Sequence, residues 1–159
     1  MEAKPWHRFY DYNVPTTIRY PCFPAQNLVH IAAAQFPHKV AVDFYGTEIT
    51  FVELRGQMLR LANALGRLGV KKGDRVGIAL PNCPQFVIAY HAVLSAGAIV
   101  VNMNPYYTRD ELKFMIENTA MEALVTYDEA LPTLRPLCNE LGLQRVIVTR
   151  LALHGRKRE

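Results

Sequence analysis

The sequence lacks the cysteine patterns of disulfide frameworks and zinc sites. Its three cysteines, Cys22, Cys83 and Cys138, are odd in number, lie far apart and form no C-x-x-C pair. Scattered cysteines of this kind are expected to be reduced thiols in a cytosolic protein. Their pattern disfavours both a disulfide-stabilised secreted protein and a zinc-dependent one.

Secretion signals and membrane-spanning runs are lacking too. Residues 1–8 carry Glu2, Lys4 and Arg8 with no apolar stretch behind them, which is not a secretory signal. The longest apolar run, residues 86–101, is interrupted by polar residues and glycine and falls short of the ~20 apolar residues of a membrane helix. We therefore expect a cytoplasmic protein without a transmembrane segment, and the sequence leaves peripheral membrane association open.

The common catalytic and metal-binding motifs are also missing. No pair of histidines forms H-x-x-x-H or H-E-x-x-H, and Ser95 lacks the G-x-S-x-G frame of a nucleophile elbow. Asp110 and Glu111 are adjacent, so on a helix they point to different sides and do not form an acid–base pair. Cys83, near a predicted helix start, has no identifiable base beside it. We therefore assign no catalytic residue and no metal ligand.

Four glycines, Gly66, Gly69, Gly73 and Gly77, cluster without forming a phosphate-binding loop. Such a loop lies between the end of a strand and the start of a helix, so that free N–H groups point at the anion. Here the order is reversed, because the glycines end a helix, turn the chain and enter a strand. Structural turns are the favoured interpretation, and we assign no cofactor-binding residue.

The basic character of the chain comes from its last ten residues. The net charge is +4, and residues 150–159 hold four of the 18 basic residues but only one of the 14 acidic ones. A short basic tail can contact nucleic acid or anionic lipid, but a solvated end is the favoured interpretation. We expect no nucleic-acid partner.

The first 26 residues are predicted to form an arm. Prolines exclude a long helix from this segment, yet it is rich in aromatic side chains. We expect the arm to lie against the body of this chain or of a partner chain. Its aromatic residues are Trp6, Phe9, Tyr10, Tyr12, Tyr20 and Phe23.

Residues 27–149 read as one α/β subdomain. From residue 51 amphipathic helices alternate with short apolar strands, which predicts a parallel sheet with helices on both faces, preceded by a small hairpin. Two T-x-x-E capping boxes, Thr50 with Glu53 and Thr108 with Glu111, mark helix starts. The predicted helices are 27–36, 51–68, 84–96, one opening at 108, and 128–141; the predicted strands are 39–45, 48–50, 75–80, 98–101, 123–127 and 144–149.

Two details of these elements depend on single residues. Asn27 and Asn82 are candidate caps for the helices that follow them. The strand at 98–101 is apolar at consecutive positions, a pattern typical of a strand covered on both faces.

Five segments in this order and spacing resemble the adenylate-forming superfamily of acyl-CoA synthetases and luciferase-like enzymes. With the leader P-W-H-R-F-Y they look most like bacterial and archaeal long-chain fatty-acid–CoA ligases, while medium-chain and aryl-acid ligases stay open. The likeness covers roughly residues 4–150 and fades after Thr149, where a basic tail (150–159) follows. The segments are I-T-F-V-E-L at 49–54, G-V-K-K-G-D-R-V at 69–76, L-P-N-C-P-Q-F at 80–86, S-A-G-A-I-V-V at 95–101 and N-P-Y-Y-T-R-D-E-L at 104–112.

The resemblance implies an enzyme that activates a fatty acid with ATP and Mg²⁺ and then forms a thioester with CoA. The family's phosphate loop, its other catalytic segments and its mobile lysine lie downstream of the matched region, so no catalytic or cofactor-binding residue is carried over. The chain is thus interpreted as a partial domain of a larger enzyme, inactive alone and binding none of these cofactors itself. Its expected partners are the remainder of the ligase or a second copy. The alternative interpretation is a non-catalytic binding or oligomerisation module derived from that family.

Overall fold

A computed structural model describes residues 4–151 of the chain, so most of the predicted basic tail lies outside the described residues. Short 3₁₀ helices occur at Pro5–Phe9 and Asp128–Ala130. The α-helices are α1 (Asn27–Gln35), α2 (Phe51–Arg67), α3 (Pro84–Ser95), α4 (Arg109–Asn118) and α5 (Leu131–Glu140). The strands are β1 (Val40–Phe44), β2 (Thr47–Thr50), β3 (Arg75–Ala79), β4 (Ile99–Asn102), β5 (Ala123–Tyr127) and β6 (Arg145–Thr149).

The body of the protein is a parallel sheet of four strands in the order β4-β3-β5-β6. Helix α2 packs on α1 and α3, and α4 packs on α5, so helices flank the sheet. Every residue of β5 is buried, and Ile78 and Leu124 lie in the centre of the core. The predicted parallel α/β architecture is confirmed, as is the prediction that β3 and β4 are neighbours connected through α3.

The small hairpin precedes this body and leads directly into α2. Strands β1 and β2 pair antiparallel, and Tyr45 and Gly46 form the turn with φ angles of 50° and 77°. Thr50 ends β2 and also caps α2, because its Oγ1 accepts the N–H of Glu53 while the Glu53 carboxylate accepts the N–H of Thr50. The second predicted capping box opens α4 in the same way. Both boxes are confirmed.

The two predicted asparagine caps are wrong. Asn27 is the first residue of α1 and follows Gln26, whose backbone is already helical and whose side chain makes no capping hydrogen bond. The residue before α3 is Cys83 in extended conformation, one position beyond Asn82, and Pro84 occupies the first turn. Since Pro84 has no N–H, this helix start has one donor fewer to satisfy.

Strand β4 is an edge strand, which corrects the prediction that it is covered on both faces. Its ends, Ile99 and Asn102, are exposed, and Val100 and Val101 are only half-buried. Consecutive apolar residues predict a buried strand in general, but they do not indicate which strand lies at the edge of the sheet.

Five of the six aromatic side chains of the arm are exposed and only Phe23 is half-buried, contrary to the predicted packing of the arm on the body of this chain. Trp6, Phe9 and Tyr12 are 54%, 74% and 103% exposed, and Tyr10 and Tyr20 are exposed as well. The arm is held by local turns such as the hydrogen bond from the N–H of Tyr10 to the carbonyl of His7. Packing against a partner chain stays a prediction. In the described part of the chain, the helices are all too short or too polar to cross a bilayer.

Candidate functional site

The carboxyl ends of β3 and β4 open into the pocket that we consider the candidate site. In α/β sheets ligands bind outside the carboxyl ends of the strands, where the loops are free to vary. This pocket has a volume of about 560 Å³. Its lining combines apolar side chains with amides and is contributed by Leu80, Pro81, Asn82, Phe86, Asn102, Met103, Asn104, Pro105 and Tyr106.

Backbone hydrogen bonds hold the β4–α4 loop on one side of the pocket. The N–H of Met103 donates to the carbonyl of Ile78 at 3.0 Å, which continues the β3–β4 pairing beyond the end of β4. Asn104 then turns the chain, because its Oδ1 accepts the N–H of Tyr106 at 3.0 Å and its carbonyl accepts the N–H of Tyr107. This side-chain-supported turn presents Tyr106 at the rim, where it is 78% exposed.

The start of α3 forms the opposite side of the pocket. Cys83 is buried there, and burial raises the pKa of its thiol although the N–H groups of Phe86 and Gln85 act in the opposite direction. A thiol with a raised pKa is protonated at neutral pH, so Cys83 is not an activated nucleophile. Phe86 and Asn82 also line a second pocket of about 210 Å³ between the hairpin and α3, so the two pockets are neighbours.

The titratable groups near the strand ends do not form an acid–base pair. Burial raises the pKa of Tyr127 at the end of β5, and neighbouring Tyr106, Glu129 and Asp128 raise it further. Tyr127 is therefore a neutral phenol at physiological pH. The described residues contain no cluster of three or more histidine, cysteine or acidic side chains that could hold a metal ion. The lining of the pocket combines apolar side chains with neutral amides, a composition that suits an uncharged ligand group.

The pocket does not fit the phosphates of ATP. Its lining holds no lysine, arginine or glycine, whereas a phosphate site needs basic side chains or free N–H groups of a glycine-rich loop. The clustered glycines lie elsewhere, as their order in the sequence predicted. Gly69 follows α2 and Gly73 precedes β3, with φ angles of 85° and 89°, and Gly77 lies inside β3.

The sequence predicts no site residue, and the structure brings together two of the segments that carry the family resemblance. Asn82 lies in the segment 80–86, and Asn104 and Tyr106 lie in the segment 104–112, on opposite sides of one pocket. The spacing of the motifs in the sequence could not predict that these two loops lie together. The signal that points to them is the parallel pairing of β3 and β4, because it brings the two carboxyl ends to the same edge.

Comparisons with known proteins agree on one family. The profile of the AMP-binding enzyme family matches residues 29–157. The long-chain-fatty-acid–CoA ligase of Bacillus subtilis is 41% identical over 132 residues, which is 83% of this chain and 24% of the relative. That of Escherichia coli O6:H1 is 34% identical over 152 residues, covering 93% of this chain and 27% of the relative. The chain thus spans about a quarter of the length of these curated relatives.

Solved structures show the same fold at lower sequence identity. A putative long-chain-fatty-acid CoA ligase from Rhodopseudomonas palustris aligns with a TM-score of 0.75 and 24% identity, covering 85% of this chain and 37% of the other. A benzoate CoA ligase from Burkholderia xenovorans aligns with a TM-score of 0.76 and 21% identity, covering 84% and 27%. The described residues therefore share the fold of about a quarter to a third of these two chains.

Proposed function

Because this chain belongs to the AMP-binding enzyme family, we propose that it forms the amino-terminal segment of an ATP-dependent long-chain fatty-acid–CoA ligase. The observation that carries the proposal is the 41% identity to the Bacillus subtilis ligase over most of this chain. A benzoate CoA ligase shares only the fold at 21% identity, so the fatty-acid relatives give the better guide to the substrate.

The complete enzyme, in this proposal, converts a fatty acid and ATP into an acyl-adenylate and pyrophosphate, and then transfers the acyl group to the thiol of CoA. It uses ATP, Mg²⁺ and CoA and works in the cytoplasm, with peripheral membrane contact left open. In this proposal the groups that bind these molecules lie in the remainder of the enzyme, since the chain spans only about a quarter of its curated relatives. The segment itself supplies no catalytic residue.

We propose that the segment supports the site structurally. The pocket at the carboxyl ends of β3 and β4 would receive an uncharged part of a ligand. Apolar side chains and neutral amides line this pocket, and no charged group is present to bind phosphate. The segment alone is therefore expected to be inactive, since adenylation needs positive charge to stabilise the phosphates.

Pyrophosphate exchange with ATP and fatty acids of several chain lengths tests the proposal. The isolated chain is expected to give only background exchange. The same chain, co-expressed with the carboxy-terminal remainder of the Bacillus subtilis ligase, is expected to restore exchange with long-chain acids. Pyrophosphate exchange by the isolated chain, in a preparation free of full-length enzyme, would show that the predicted inactivity is wrong. Absence of exchange in an assembled complex of the two parts would contradict the proposal that this chain is a ligase segment.

The exposed aromatic arm supports a second candidate, a non-catalytic oligomerisation module. Five large aromatic side chains of the arm face solvent, and aromatic residues are enriched in protein interfaces. In this alternative the chain associates with its partner and never restores exchange. The co-expression experiment separates the two candidates, because only the ligase segment predicts activity in the assembled complex.

A further inference from the structure

The last described residues carry the chain from the edge of the sheet toward the candidate pocket. Strand β6 ends at Thr149, at one edge of the sheet. The Nε2 amide of Gln85, in the first turn of α3, donates to the carbonyl of Arg150 at 3.2 Å, and Leu151 is half-buried against the core. Since Phe86, the neighbour of Gln85, lines the pocket, the described part of the chain ends beside it.

The segment that follows, residues 152–159, begins apolar and ends basic. It lies outside the described residues, but its sequence contains Leu153 two positions after Leu151 and then Arg-Lys-Arg at 156–158, against one acidic residue, Glu159. An apolar side chain suits the apolar part of the pocket lining, and a basic run is complementary to carboxylates. The lining of the pocket contains no carboxylate, so a charge partner has to lie at its rim.

Two exposed carboxylates lie at the same edge of the sheet as the pocket. Asp128 and Glu129 directly follow β5, the strand between β3 and β6. Together with Tyr106 at the pocket rim, they raise the pKa of Tyr127, so all three groups lie within electrostatic range of one phenol. The ion pairs among the described residues use neither carboxylate. Both are therefore available to a basic segment that crosses this edge.

Residues 152–159 are long enough to cross the whole edge. Neighbouring strands lie about 4.8 Å apart, so the three steps from β6 to β4 span roughly 14 Å. An extended chain advances about 3.3 Å per residue, so eight residues reach roughly 26 Å and two reach roughly 7 Å. Leu153 can therefore reach the pocket beside Phe86, and the basic run has enough chain left to reach Asp128 and Glu129.

We infer that residues 152–159 dock on the carboxyl edge of their own sheet, with Leu153 in the 560 Å³ pocket and the Arg-Lys-Arg run against Asp128 and Glu129. This arrangement replaces the solvated end that the sequence alone favoured. The chain then covers its own pocket, and a ligand has to displace the tail before it can enter. The inference does not rest on the proposed ligase function, because it concerns only residues of this chain.

Carbodiimide crosslinking of the full chain tests the charged contact, since this reagent joins an amine directly to a neighbouring carboxylate. Mass spectrometry of the digest is expected to find Lys157 joined to Asp128 or Glu129. The Lys113–Glu140 ion pair, at 2.8 Å, is the internal positive control.

Two neutralising variants show whether the charges at this edge matter. Glu129→Gln is expected to lower the yield of the Lys157–Asp128 product about threefold, as the loss of one exposed ion pair predicts. Glu117→Gln is the matched control, because Glu117 is exposed in the last turn of α4, at the opposite edge of the sheet, and it should leave that yield unchanged.

Methyl NMR of the methionines tests the apolar contact. Met103 lines the pocket, whereas Met58 is buried in α2. Leu153→Ser is expected to shift the methyl signal of Met103 and to leave that of Met58 in place. Leu28→Ser, at a position that is 58% exposed on α1, is the matched control and should shift neither signal.

The possible results separate a docked tail from a solvated one and from the tail of a second copy. The docking is overturned if Lys157 couples to no carboxylate, or to carboxylates all over the surface, while Lys113 couples to Glu140. Equal losses of the Lys157–Asp128 product in Glu129→Gln and Glu117→Gln would overturn it too, and an unmoved Met103 signal in Leu153→Ser would mean that the tail does not fill the pocket. In a mixture of isotope-labelled and unlabelled chains, Lys157 products that join two different chains would assign the surface to a second copy.

Discussion

At the scale of single residues, Gly77 shows how closely the sheet is packed. A Cβ at this position would lie 2.5 Å from Met121 Sδ and 3.0 Å from Leu124 Cδ1. Gly77→Ala is therefore expected to lower the free energy of unfolding by roughly 1–3 kcal/mol, the usual cost of overpacking. Denaturant titration measures the change.

Two further variants control the Gly77 experiment. Gly66→Ala lies in α2 with no atom within 4 Å of the added Cβ, so it should be neutral or stabilise by up to about 1 kcal/mol. Combining Gly77→Ala with Met121→Ala should cost less than the sum of the two single changes, because the clash is gone. Strict additivity would mean that Met121 does not cause the cost.

His91 predicts a pH dependence of stability. Burial lowers the pKa of His91 below its ordinary value of 6.5, and its Nδ1 is buried without a hydrogen-bond partner among the described residues. The unfolded chain then binds a proton more readily than the folded one, so stability falls as the pH drops below about 6.5. One such group contributes at most about 1.4 kcal/mol per pH unit.

Thermal melts between pH 7 and 5 check the effect of His91. His91→Leu should flatten the loss of stability over this range, since it removes the titrating ring. Leu28→Ala, at a position that is 58% exposed on α1, removes no titrating group and is the control that should leave the slope as it is. An equal slope in the unaltered chain and in His91→Leu would assign the effect to other groups.

At the scale of elements, the capping boxes were predictable because they are local. Thr108 accepts the N–H of Glu111 only three residues away, and the same four-residue pattern recurs at Thr50. Thr108→Ala is expected to cost about 1 kcal/mol of stability, while Thr108→Ser keeps the oxygen and should cost much less. Chemical denaturation of both variants measures the difference, and equal losses would mean that the hydroxyl does not stabilise α4.

The features that sequence could not predict depend on distant parts of the chain. Consecutive apolar residues correctly predicted that β4 is a strand, but its place at the edge follows from which strands pair with β3. The candidate pocket likewise needs Asn82 and Asn104 on neighbouring strand ends, and no local pattern joins two loops that are so far apart in sequence. Cys83 took the position expected for Asn82 because Pro84 set where the helix begins.

At the scale of the whole molecule, we expect the purified chain to self-associate. The arm exposes Trp6, Phe9 and Tyr12, and β4 exposes an unprotected edge, and such surfaces favour association. Light scattering on a dilution series should show species larger than a monomer, and Trp6→Ala should weaken any ordered dimer through the arm. A stable monomer that melts cooperatively and binds no hydrophobic dye would contradict this expectation, because it would mean that the chain covers its own hydrophobic core without a partner.

The strand order also bears on how the chain assembles as it leaves the ribosome. Within the parallel sheet, synthesis delivers β3, α3 and β4 before β5, and these three can pack together, but the second side of β3 stays unpaired until β5 follows at residues 123–127. Arg75 at the start of β3 then holds the chain that leads into β5. Its guanidinium donates to the carbonyl of Ala120 at 2.8 Å and forms an ion pair with Glu122, the two neighbours of Met121 in sequence. Until residue 127 has emerged, β3 of the nascent protein is itself an exposed edge, and unpaired edges of this kind make an incomplete chain prone to aggregation.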